Sequence, residues 1–186
     1  MRKIVVSEFV SLDGVMEEPS WTAPYWNDES AKFKAGELFG SDALLLGRVT
    51  YQGFAAAWPS VKDEFADRMN GLPKHVVSTT LEEATWNNST IIKENVAEEI
   101  TKLKVQPGGD ILMYGSGELV RTLLQHGLVD QLNLLIYPVV LGSGKRLFEA
   151  GDKTNLKLVE TKTFSSGVVL LVYQPQAQPE GSEEER

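Results

Sequence analysis

Three short stretches carry residue types able to hold a phosphorylated ligand. Gly47-Arg48-Val49-Thr50 follows the apolar run Ala43-Leu44-Leu45-Leu46: glycine admits close backbone approach, arginine offers a charged fork for phosphate, and threonine adds a hydroxyl donor. The turn suits a pyrophosphate or a 2′-phosphate, and it serves equally well as a plain strand end with a surface charge. Tyr114-Gly115-Ser116-Gly117-Glu118-Leu119 is a Gly-rich turn between a strand and a helix, where exposed N–H groups and the helix dipole attract phosphate oxygens. It lacks the third glycine of the Rossmann fingerprint, so by itself it reads as a tight turn. Ser78-Thr79-Thr80 closes another strand, and its hydroxyls suit either a 2′-phosphate or, more commonly, strand-end capping.

Groups for proton chemistry are scarcer. The 186 residues include no cysteine, which excludes disulfides, thiolate nucleophiles and cysteine-based metal sites, and only two histidines, His75 and His126, which argues against a histidine-rich one; no metal is expected. Asp13 could orient a substrate or pass a proton, although an aspartate before Gly14 is also a frequent turn residue. Asp28 and Glu29 fall at a helix start, where the dipole favours the ionised carboxylate, so capping is their expected work. Trp21, Tyr25, Trp26, Tyr51, Phe54 and Trp58 gather aromatic surface around two loops. They suit stacking of a flat heterocycle, or lid and core packing.

The elements that must position these residues alternate. Ile4–Val10 reads as a buried strand ending at Ser11-Leu12-Asp13-Gly14, residues 28–39 as a helix stopped by Gly40, and residues 43–46 as a strand covered on both faces. Residues 61–70 fit a helix and 74–78 a strand. Asn95 with Glu98 resembles a capping box opening a helix that Pro107-Gly108-Gly109 ends. Residues 111–114 form a strand, 118–126 a helix closed by Gly127, and 131–140 a further strand; 157–163 and 168–174 fit a hairpin across Phe164-Ser165-Ser166-Gly167. The pattern predicts one α/β domain, residues 1–174, with a mostly parallel central sheet, helices on both faces and a C-terminal antiparallel hairpin.

Residues 175–186 are polar and acidic and read as a solvated tail; it carries −3 of the formal net charge of −8, leaving the domain near −5. That balance argues against a nucleic-acid surface. No apolar run is long enough for a bilayer and the early Glu8 interrupts any signal core, so no membrane partner and a cytoplasmic location are expected.

Ser11-Leu12-Asp13-Gly14, residues 41–50, residues 110–119, Gly127-Leu128-Val129-Asp130-Gln131-Leu132 and Pro138-Val139-Val140-Leu141-Gly142-Ser143-Gly144 resemble, in order, the C-terminal reductase domain of the bifunctional riboflavin-biosynthesis deaminase-reductase, within the dihydrofolate reductase-like superfamily. The likeness spans roughly residues 3–173. It implies a three-layer α/β/α fold, a homodimer and a small-molecule substrate. It further implies NADPH as cofactor, held by Gly47, Arg48, Thr50, Gly115, Ser116, Gly117, Glu118 and Leu119, with Asp13 and Gly14 beside the nicotinamide and Ser78 and Thr79 as weaker additions. Ser7 and Tyr114 stand where that family has a lysine and a glutamate, and its aspartate pair is replaced within Tyr51-Gln52-Gly53-Phe54-Ala55-Ala56-Ala57-Trp58-Pro59. The expected activity is hydride transfer to a small heterocycle or a related C=N or C=O group, similar to 5-amino-6-(5-phosphoribosylamino)uracil reductase but on a different substrate. Trp21, Trp26, Tyr51, Phe54 and Tyr114 are the substrate-side candidates. The alternative is a non-catalytic NADPH- or nucleotide-binding module.

Overall fold

A computed structural model describes residues 1–176. Strands β1 (Ile4–Ser11), β2 (Ser41–Gly47), β3 (Lys74–Val77), β4 (Ser89–Ile92), β5 (Asp110–Tyr114), β6 (Gln131–Tyr137), β7 (Leu156–Thr163) and β8 (Val169–Pro175) form one sheet of order β4-β3-β2-β5-β1-β6-β8-β7. Pairing is parallel from β4 through β6, while β8 and β7 complete the sheet as an antiparallel hairpin. The helices are α1 (Asp28–Phe39), α2 (Arg48–Ala57), α3 (Glu64–Gly71), α4 (Val96–Val105) and α5 (Gly117–Gln125).

Alternation along the central strands sorts the core into layers. Ile4, Val6, Leu45, Ile111 and Met113 bury on the face covered by α4 and α5, whereas Val5, Leu44, Leu46 and Leu112 bury on the face covered by α1, α2 and α3. The predicted three-layer α/β/α arrangement with its C-terminal hairpin is the fold of the chain.

Several boundaries differ from expectation. Asn27, not Asp28 or Glu29, caps α1, its side chain accepting from Ser30 N; Glu29 instead binds the β7–β8 turn through Ser165 N at 2.7 Å and Ser165 Oγ at 2.6 Å. α3 starts at Glu64 because Asp63 accepts from Ala66 N at 2.7 Å and fixes the first turn there. Asn95 precedes α4 with a left-handed backbone (φ 52°) and makes no side-chain cap, so the expected capping box does not form. Residues 48–57, expected as a loop, are α2, and β4 and a 3₁₀ stretch at Pro19–Tyr25 are additional elements. Pro175 belongs to β8, and Gln176 N donates to Asn155 O at 2.8 Å; the rest of the expected acidic tail lies outside the described residues.

The β3 layer is tied by a buried lysine. Lys74 Nζ donates to the carbonyls of Asn70, Leu72 and Asn87 at 2.8–2.9 Å and lies 4.2 Å from the Trp86 ring centroid, so every ammonium proton has a partner.

Candidate functional site

β1 and β5 are neighbours whose chains leave in opposite directions. From β1 the chain crosses over one face through α1, and from β5 it crosses over the other through α5. In an open α/β sheet the crevice outside the carboxyl ends of two such strands is where ligands bind. Here β1 pairs with β5 only over Ile4–Val6, and from Ser7 to Ser11 it continues beside β6 alone. The sheet is thus split at its carboxyl edge, with Ser7, Glu8 and Phe9 on one bank and Tyr114 and Gly115 on the other.

Three turns meet there. Gly47 N donates to Gly115 O at 3.2 Å, and a Cβ on Gly47 would come 2.7 Å from Ser116 Oγ. Gly115 has a left-handed backbone (φ 53°) and any Cβ on it would collide with Thr50 Oγ1; a Cβ on Gly117 would lie 2.7 Å from Met16 Sδ, in the segment after β1. Close contact between the turns leaves little room for a side chain at Gly47 and Gly115, and it brings together Gly47, Thr50, Gly115, Ser116 and Gly117. Ser116 caps α5, accepting from Leu119 N at 3.4 Å, and Glu118 is exposed in the first turn. No side chain caps α2, so the N–H groups of its first turn remain available to an anion. Arg48, exposed at the start of α2, donates to Gln52 Oε1 at 3.1 Å.

Other expected residues have different occupations. Asp13 accepts from Ser11 Oγ at 2.6 Å, Gly142 N at 2.8 Å and Leu141 N at 3.1 Å, and these donors hold its carboxyl down at about 2. It clamps the segment after β1 to the one after β6 and stays ionised, which is unsuited to donating a proton. Gly14 supplies the left-handed turn beside it (φ 88°). Ser78 Oγ accepts from Leu81 N at 2.9 Å and Thr80 N at 3.2 Å, a strand-end cap, while Thr79 is exposed.

The aromatic candidates divide. Tyr51 is buried in the core under α2, its hydroxyl accepting from Trp86 N at 2.9 Å, so it does not line the crevice. Trp21 packs edge-on against Tyr137, and Trp26, largely exposed, against Phe9, forming a cover beside β1. Phe54 packs edge-on against Tyr114 at 6.0 Å. The Tyr114 hydroxyl is buried without a hydrogen-bond partner among the described residues; burial raises its pKa well above the ordinary tyrosine value.

The largest surprises are charged. Lys34 of α1, 6% exposed, projects onto the sheet, where Nζ donates to Ser7 Oγ and Glu37 Oε2, both at 2.6 Å, and lies 4.2 Å from the Tyr114 ring centroid and 5.2 Å from that of Phe9. Glu37 also accepts from Ser7 Oγ at 2.9 Å and Asn133 Nδ2 at 2.7 Å. On the opposite face of β1, Glu8 is 6% exposed and accepts from Gly115 N at 2.6 Å; burial dominates its titration and raises its pKa to about 7. Sequence reading missed all three. The i, i+3 spacing of Lys34 and Glu37 was visible, but it describes exposed helix pairs equally well, and a glutamate in a buried strand was the one available signal for Glu8.

Among the described residues no group of three or more His, Cys, Asp or Glu gathers in a way that could hold a metal, and no helix is long and apolar enough to cross a membrane.

A split parallel sheet with glycine turns at the switch point defines a dihydrofolate reductase-like α/β protein. The chain belongs to the RibD C-terminal domain family, which it matches over residues 2–170. It is 36% identical over 178 residues to YyaP, an uncharacterized protein of Bacillus subtilis, covering 92% of this chain and 94% of that one. Its fold is similar to that of a candidate riboflavin-biosynthesis protein from Shewanella sp. PV-4 (TM-score 0.76, 18% identity, 94% of this chain and 99% of that one). It is also similar to dihydrofolate reductase from Enterococcus faecalis complexed with NADP(H) and RAB-propyl (TM-score 0.64, 13% identity, 94% and 97%). Family and fold support a reductase-type function.

Proposed function

We propose that the protein is an NADPH-dependent reductase of a small heterocycle, or of a related C=N or C=O compound. The observation that carries this reading is the convergence of the Gly47–Thr50 and Gly115–Gly117 turns at the split between β1 and β5, beside the uncapped start of α2. These residues fit a dinucleotide: the first-turn N–H groups of α2 suit a pyrophosphate, and Arg48, free to leave Gln52, suits a 2′-phosphate. When bound, the reduced nicotinamide supplies a hydride.

The chain's own part is positioning. Phe9, Phe54 and Tyr114 offer ring faces and edges for a flat substrate, and the partnerless Tyr114 hydroxyl offers both a donor and an acceptor. Lys34, held against Ser7, fixes α1 at the required distance from β1. The Lys34–Glu37 pair puts two charges near the positions where Ser7 and Tyr114 replace the resembled family's lysine and glutamate, which supports a substrate different from the riboflavin precursor. Asp13 holds the cover loop in this reading, and Ser78 and Thr79 flank the adenosine end. The reading also includes a homodimer, supported by the exposed edge strand β7 with Leu158 and Val159 uncovered, and sedimentation velocity checks it.

Quenching of tryptophan fluorescence on titration with NADPH tests the cofactor assignment, and absence of binding overturns it. Arg48→Ala is expected to weaken NADPH by about 10–100-fold and NADH by little, as loss of one charge-assisted phosphate contact requires; equal losses would show that Arg48 does not read the 2′-phosphate. Binding with no turnover of dihydropteridine, aminopyrimidine or flavin substrates favours a non-catalytic binding module.

A further inference from the structure

Glu8 is a buried carboxyl with no cation in contact. One oxygen accepts from Gly115 N at 2.6 Å, and no other hydrogen bond reaches the carboxyl among the described residues. The surrounding charges are committed elsewhere. From α1, Lys34 is bound to Glu37 and Ser7, and these two opposite charges act on Glu8 in opposite senses. On α5, Glu118 is exposed and Arg121 pairs with Glu149 at 3.3 Å and Asp152 at 3.4 Å. In the segment after β1, Asp13 is held by Ser11, Leu141 and Gly142, and Glu17 accepts from Lys145 N at 3.0 Å. On the Glu8 face β5 brings Met113 and β6 brings Leu134, the register partner of Glu8, and neither carries a charge. Desolvation therefore leaves this carboxyl holding a proton close to neutrality.

Its position gives that proton a use. Glu8 lies on the β1 bank of the split sheet and its carboxyl reaches across the split to Gly115 N, in the turn that Gly47 touches, so it borders the crevice where β1 and β5 part. We propose that Glu8 is the proton-holding catalytic group of this site, protonated opposite a neutral dihydronicotinamide and ionised opposite the cationic oxidised ring. This rests on the cofactor reading above. In the reaction, a C–H bond forms at the substrate carbon from the hydride of the dihydronicotinamide, and an N–H or O–H bond forms on the adjacent heteroatom with the Glu8 proton. The carboxyl O–H bond breaks, the substrate gains two electrons and the nicotinamide loses two. The carboxylate left behind neutralises the new ring charge, and a solvent proton restores it after exchange of the dinucleotide.

The test needs no substrate. Affinities of the intact protein for NADP⁺ and NADPH are measured by tryptophan quenching between pH 6 and pH 8; the 2′-phosphate titrates in both ligands and cancels in their ratio. Preference for NADP⁺ is expected to rise roughly fivefold across that range for a one-unit drop in the carboxyl's pKa on binding the cation, and calorimetry in two buffers of different ionisation enthalpy should show more proton release with NADP⁺ than with NADPH. Glu8→Gln, which preserves the acceptor for Gly115 N, should make the ratio independent of pH. A flat ratio in the wild-type chain overturns the proposal, as does a slope that survives in Glu8→Gln. Failure of both dinucleotides to bind overturns the cofactor reading and this proposal together, and the wild-type titration decides the matter even if the variant does not fold.

Discussion

Two glutamates are buried at the carboxyl end of β1, on its two faces, and they are provided for in different ways. Glu37 has Lys34 at 2.6 Å, the Ser7 hydroxyl at 2.9 Å and the Asn133 amide at 2.7 Å. Glu8 has one backbone N–H and no cation. A buried carboxylate surrounded by a cation and several donors can keep its charge, and the cluster then fixes the helix that bears it. One without such partners keeps its proton instead, and its charge becomes available to whatever enters the crevice. The comparison separates a residue that builds the site from one able to act in it.

The largest test of that contrast is Lys34→Met. It keeps the stem but strands Glu37 in the interior, and a loss of about 3–5 kcal/mol in urea unfolding is expected, with much of it regained in Lys34→Met/Glu37→Met. A loss under 1 kcal/mol would mean that Glu37 finds solvent and that the two faces are not different in kind.

Next is the pH dependence of stability. The folded chain holds the Glu8 proton up to about 7, whereas an unfolded glutamate gives it up near 4.5. The folded state thus binds more protons in that window, and stability should fall by on the order of 3 kcal/mol as pH rises from 4.5 to 7, then level off. Glu8→Gln removes this component, so thermal melts of the variant should exceed the wild type above pH 7 and converge with it below pH 5. Equal slopes would place the titrating group elsewhere.

The smallest stability effect is expected from Tyr114→Phe. Its hydroxyl has no partner, so removing it should change stability by less than about 1 kcal/mol in either direction. A clear fall in turnover with stability intact would assign the hydroxyl to the substrate.

The outcome for particular residues shows where local sequence stops being informative. The apolar run at 43–46 reads as a strand covered on both faces and residues 111–114 as a strand, both as observed, and the helical spacing before Gly127, whose backbone is left-handed (φ 64°), marks α5 and its end. Glycines placed directly after those strands marked the turns that meet at the crevice. α2 was hidden because Gly47, Gly53 and an aromatic-rich stretch look like a loop, whereas Tyr51, Phe54 and Ala55 pack it onto the core beside Trp86. Local sequence was thus enough for the order of every element but α2, β4 and the short 3₁₀ turns, for the sheet with its hairpin and for the glycine-containing turns after the strands, since all of these follow from short-range pattern. The tertiary structure alone decided that Lys34 reaches Ser7 across 27 residues and that Glu8 meets Gly115 across 107. Whether a buried charge is paired or must hold its proton depends on neighbours brought in from distant parts of the chain, and no local spacing encodes them.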